Sequence, residues 1–154
     1  MVTFLAARDE IYRRMAKVGE AFADLYPGVQ EPKVYDGSPT SEPPFYIAVD
    51  SIVDTAAMGG RATNGAGQLD FTVHVARHAN QSAASSALLS YVDAVFKAVM
   101  ADQRLARSVD IALPSIEAAG TAPDSSKYYM AAASVGVQCT VFSKCPQEFR
   151  EVVK

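Results

Sequence analysis

The sequence predicts an α+β fold: a mainly antiparallel sheet with a long N-terminal helix and a second helix packed on one face, in a single domain over 1–154. Three observations carry this. Phe4, Ile11, Met15, Val18, Phe22 and Leu25 recur at helical steps. Residues 45–53 and 68–76 are rich in β-branched and aromatic side chains. Helical spacing then returns in Leu88, Val92, Val95, Phe96 and Val99. A chain of 154 residues, 49% apolar and 20% charged, can bury one core of its own without a disulfide or metal staple.

The first helix has Asp9, Glu10, Arg13, Arg14, Lys17, Glu20 and Asp24 off its apolar stripe. Read as one unbroken helix it runs about 33 Å. Tyr26-Pro27-Gly28 ends it, because Pro27 cannot continue the hydrogen-bond ladder. Residues 27–44 contain five prolines and read as a long flexible loop, with a short extended piece at Lys33-Val34-Tyr35 and a turn at Asp36-Gly37. Phe45 to Val53 follows as a strand. Gly59, Gly60, Gly65 and Gly67 make 55–67 a second long flexible loop. From Gln68 to Ala76, Leu69, Phe71, Val73 and Val75 alternate with Asp70, Thr72 and His74. That strand should pair antiparallel with 45–53 through a long hairpin.

Asn80 or Ser82 caps the second helix, over 80–103, whose first half is small-sided (Ala83 to Ala87). Residues 109–118 form a weaker strand interrupted by Pro114, and Gly120 to Ser126 a turn. Tyr128 to Phe142 is a long strand, or a bent one with Gly136 at the bend. The tail from Cys145 forms a short last helical turn.

Several function classes recede on composition and spacing. Fourteen Lys+Arg against seventeen Asp+Glu give a net charge of −3, without the basic excess of a nucleic-acid binder. No uninterrupted apolar run approaches the roughly 18 residues of a membrane span. The N-terminus has no charged-then-apolar leader, which leads us to expect a cytosolic protein. His74 and His78 have the four-residue spacing of a metalloprotease pair, but on a strand they stand about 13 Å apart, and the Glu after the first His is missing. Cys139 falls in the apolar register beside Val137 and Val141, and bridging it to Cys145 is awkward along an extended run. Gly60 and Gly65 match the spacing of P-loop glycines, but Ala66-Gly67 replaces the Lys-Ser/Thr that a phosphate cradle needs. Asp50, Asp54 and Asp70 read as surface carboxylates rather than a metal site. Asn80-Gln81-Ser82 matches a glycosylation sequon and reads better as a cap. The sequence therefore indicates no catalysis, no cofactor and no metal.

Val34-Tyr35-Asp36-Gly37, then Pro43-Pro44-Phe45-Tyr46-Ile47-Ala48-Val49, the Gly-rich excursion, Leu69-Asp70-Phe71-Thr72-Val73-His74-Val75, the helix 80–103 and a closing strand pair together resemble the tail terminator (tail completion, head–tail joining) family of long-tailed phages and prophages. The likeness spans residues 3–143. The small-sided half of the second helix and Cys145-Pro146 depart from it. It implies a structural protein of the virion tail, assembled in the host cytoplasm. Such a protein forms a homo-oligomeric ring, usually a hexamer, between the tail tube protein and the head connector protein. DNA passes through its lumen without specific binding, and no membrane is involved. Pro39 and Glu42 in one loop, and Gly59, Gly60, Arg61 and Asn64 in the other, become the candidates for contact with ring neighbours or tube. Two rival readings share the pattern: another head–tail connector or neck protein, and a small ligand-binding or enzymatic α+β domain.

Overall fold

The computed structural model describes residues 4–37, 39–41, 45–58, 64–123, 127–141 and 147–153. Among them the chain forms α1 (Phe4–Glu20), α2 (Phe22–Leu25), β1 (Lys33–Asp36), β2 (Phe45–Met58), β3 (Asn64–His78), α3 (Gln81–Met100), β4 (Ile111–Pro123), β5 (Tyr129–Val141) and α4 (Gln147–Val152). The strands make one mixed sheet in the order β1-β2-β3-β5-β4. Only β1–β2 is parallel; the other three pairings are antiparallel. This is the predicted α+β architecture.

Alternation on the strands decides which face is covered. Ile47 and Val49 of β2 lie opposite Val73 and Phe71 of β3, which in turn lie opposite Ala133 and Val135 of β5. All six are buried. Against this face pack Ala7, Ile11 and Met15 of α1 and nine buried residues of α3, among them Ala84, Leu88, Tyr91, Val95 and Val99. α1 lies over the β1–β2 side and α3 over β3, β5 and β4. The small-sided start of α3 is buried at Ala84 and Ala87. Asn80 caps that helix by accepting the Ala83 N–H at 3.1 Å, the first of the two caps the sequence offers.

Several sequence expectations need correction. The N-terminal helix is broken at Ala21 (φ −98°, ψ 6°). The break rephases the last turn: Phe22 enters the core against Tyr26 (4.8 Å) and Tyr91 (5.1 Å), while Leu25 is turned out, 57% exposed. Within 27–44, the extended piece is β1, hydrogen-bonded to β2 and tied to α1 by an Arg8–Asp36 ion pair. Residues 55–58 and 64–67 are not loop but ladder, with Thr55 opposite Gly67 and Met58 opposite Asn64. Gly67 belongs there because a Cβ would stand 2.7 Å from the Phe4 ring. α3 stops at Met100, short of residue 103. Strand β4 reaches Pro123 through residues read as turn, and it tolerates Pro114 because it is the sheet's edge. α3 also amends the membrane reading: with Asp93 and Lys97 its only charges, it is long and apolar enough to cross a bilayer. Half of that segment is buried in this fold, as in the core helix of a packed domain.

Candidate functional site

A densely hydrogen-bonded polar cluster lies where α3 ends. A helix leaves its last carbonyls without partners, and here Arg14 of α1 supplies a partner for one of them and for one just beyond the helix. Its Nη1 donates to the carbonyls of Ala98 and Asp102, both at 3.0 Å. Its Nη2 donates to Asp102 Oδ2 at 3.0 Å and its Nε to Glu10 Oε1 at 2.8 Å. Arg13 completes the group with two bonds to Glu10, at 2.7 and 2.8 Å. Those bonds from Arg13, helped by Arg14, hold the Glu10 carboxyl down at about 2.

Beyond α3 the backbone turns left-handed three times in succession, at Leu105 (φ 46°), Ala106 (φ 55°) and Arg107 (φ 66°). None is glycine, so each costs on the order of 1–2 kcal/mol. Two things hold the turn. Leu105 is fully buried in the core. The Asp102 carboxylate accepts the N–H groups of Ala106 (2.9 Å) and Arg104 (3.1 Å), which lowers its pKa. Ser108 Oγ closes the turn by donating to the Leu105 carbonyl at 2.6 Å. Gln103 then reaches the first residues of β4: its carbonyl accepts the Ala112 N–H at 2.7 Å, and its Nε2 donates to the Ala112 carbonyl at 3.4 Å. A shallow groove of about 440 Å³ runs between Ala6, Asp9, Glu10 and Arg13 of α1 and residues 105–108.

At the opposite end a cavity of about 280 Å³ is lined by Val29, Phe45, His78, Ala83 and Ala87 among others. Here Tyr91 Oη donates to the Gln30 carbonyl at 2.5 Å, and burial pushes its pKa up to about 12. Tyr26 Oη donates to Asp93 at 2.6 Å, and its phenol is raised by burial first and by the Asp93 carboxylate second.

The structure separates the sequence's candidate residues. Glu42, Gly59, Gly60 and Arg61 lie outside the described residues. Asn64 opens β3 opposite Met58, and Pro39 is half-buried far along the chain from it. His74 packs its ring at a tilt against Tyr46 (5.0 Å) and is buried, whereas His78 lines the small cavity. They therefore share no site. Nε2 of His74 finds no hydrogen-bond partner among the described residues. Cys139 sits in the core, where burial pushes its thiol up to about 12; Cys145 lies outside the described residues. Asp70 accepts from Gln68 Nε2 at 3.1 Å, and the side chains of Asp50 and Asp54 are not described. Among the described residues no three His, Cys, Asp or Glu side chains are grouped to hold a metal ion.

Arg14, Asp102 and Gln103 were not singled out by sequence. Arg14 sits among other charges on a polar helix face, and Leu-Ala-Arg is an unfavourable string for left-handed backbone. Only Asp102, a side chain that bonds backbone readily just past a helix, offered a signal. No protein-family model matches the chain, and no curated protein matches it.

Proposed function

We propose that this chain is a tail terminator: a structural virion protein that caps the tail tube of a phage or prophage as a ring and forms the joint to the head connector. The observation that carries this reading is where the resembling residues fall in the fold. Val34-Tyr35-Asp36 is β1, and it lies in parallel register on Tyr46-Ile47-Ala48-Val49 of β2, with Val34 opposite Ile47. The alternating Leu69 to Val75 is the middle of β3, and the crossing helix is α3. The order helix, strands, helix, closing strand pair is that of the resemblance. The β2–β3 ladder continues past the end of β1 to Met58 and Asn64, which supports assigning contact with a ring neighbour or the tube to the residues that follow Met58, Gly59, Gly60 and Arg61, and to Asn64.

The chemistry of the described side chains supports an assembly role over catalysis. The Cys139 thiol is buried and raised, and the Glu10 carboxylate is bound to two arginines. Adding the purified chain to polymerising tail tube protein tests the reading. Capped tubes that stop lengthening are the expected result, and replacing 59–63 with a two-residue turn should abolish capping while leaving the thermal melt intact. Tubes that grow at an unchanged rate with the chain in excess would refute it.

A further inference from the structure

The sheet's far edge, β4, is blocked at both ends and open in the middle. In an antiparallel pair, successive residues turn their peptide groups alternately toward and away from the partner strand. Ala112 turns its own away from β5, because both its N–H and its C=O are bonded to Gln103. The same outward phase then falls on Pro114 and Ile116, opposite Val137 and Val135. A register shift between Ile116 and Ala118 moves the phase by one, so that it continues through Ala119, Thr121 and Pro123, opposite Ala133, Ala131 and Tyr129. Of these six outward positions, Ala112 is satisfied and the two prolines have no N–H to give. The remaining donors are Ile116, Ala119 and Thr121. Prolines and capped ends are how an exposed edge is kept from indiscriminate pairing; here they leave one short window. Two exposed apolar side chains flank it on opposite faces, Leu113 at 46% and Ile116 at 52%.

The chain carries a second incomplete edge. β1 pairs with β2 only through Val49, so among the described residues β2 from Asp50 to Met58 has no strand on its outer side. We infer that the β4 window of one copy pairs with the 50–58 stretch of β2 in the next. This rests on the ring reading. A ring built head to tail needs two different complementary surfaces on each copy, and these two edges are of similar length: seven residues from Ser115 to Thr121, and nine from Asp50 to Met58, the latter irregular before Asp54. Main-chain bonding of this kind gives affinity with little demand on side-chain identity, which suits a stretch as small-sided as Ala118-Ala119-Gly120-Thr121.

Two substitutions test the edge without cutting the β4–β5 ladder. Thr121→Pro removes an outward N–H alone, and Ile116→Lys puts a charge on the flank. Each should weaken self-association at least tenfold in sedimentation velocity while the circular dichroism melt stays within a few degrees. Amide hydrogen exchange on the wild-type ring supplies the second readout: Ile116, Ala119, Thr121 and amides in 50–58 should exchange more slowly than in the Ile116→Lys monomer. Rings in which those amides exchange at the monomer rate would overturn the edge contact and leave the ring reading standing. Protection of β4 without 50–58, in a dimer, would mean that β4 pairs with β4, and would overturn the head-to-tail contact. A wild-type chain that stays monomeric at every concentration overturns the proposal; if it also fails to cap tubes, the ring reading falls with it.

Discussion

The two faces of the sheet differ sharply in what they demand of the sequence. On the inner face Leu69, Phe71, Val73, Val135 and Val137 are fully enclosed by two helices. On the outer face Ala132 and Gln138 are exposed and Thr72 and Ser134 half-exposed, although each sits one residue from a fully buried neighbour. The difference teaches that the fold's buried apolar packing is concentrated on one side of the sheet. Phe71→Ala should break the contrast most severely, losing about 3–5 kcal/mol in urea denaturation, whereas Thr72→Ala next to it should stay within about 0.5 kcal/mol. Equal losses would mean that the outer face is covered as well.

A smaller effect separates the helix layer's polar hub from its apolar contacts. Arg14→Ala removes a donor to the α3 carbonyl of Ala98, to the carbonyl and carboxylate of Asp102 and to Glu10, and should cost about 1–3 kcal/mol in the same assay. The hub also sets a pH dependence. Glu10 is held at about 2 in the fold against 4.5 without its partners, so its contribution is fully present above pH 4.5 and is lost as pH falls toward 2. Arg13→Ala removes the largest cause, so the slope of stability against pH across that window should flatten; an unchanged slope would show that Arg14 alone holds the carboxylate.

At the strained turn the sign reverses. Ala106→Gly should stabilise by about 1 kcal/mol, read as a higher melting temperature, because glycine adopts φ 55° without the Cβ penalty. A comparably small effect is expected on the outer face where His74 is buried beside Tyr46. His74→Phe keeps the ring packing on Tyr46 and removes a buried nitrogen without a described partner, so stability should hold or rise by up to about 1 kcal/mol. A loss would place an acceptor or donor against Nε2.

Legibility in the sequence followed burial. Where one face is covered, period and position agree, so the middle of β3 and the body of α3 were read in place, with Asn80 one of the two caps offered. Where backbone pairing rather than side-chain pattern sets the structure, the reading failed. Gly65, Ala66 and Gly67 look like loop, yet β2 and β5 flank them on both sides. Gly120 to Pro123 looks like a turn and is edge strand. The break at Ala21 is invisible because alanine is a strong helix former; the packing of Phe22 against Tyr91 overrides it. The candidate contact residues were chosen from loop composition, and of the six only Pro39 and Asn64 fall among the described residues. Arg14 and Asp102 escaped notice because their partners are 84 and 88 residues away along the chain.

Negative-stain electron microscopy of the purified chain, alone and with tail tube protein, tests the central claim most directly. Six-fold rings with a central hole, seated on tube ends when tubes are present, are the expected result. Single small particles in both samples, with bare tube ends, would contradict it.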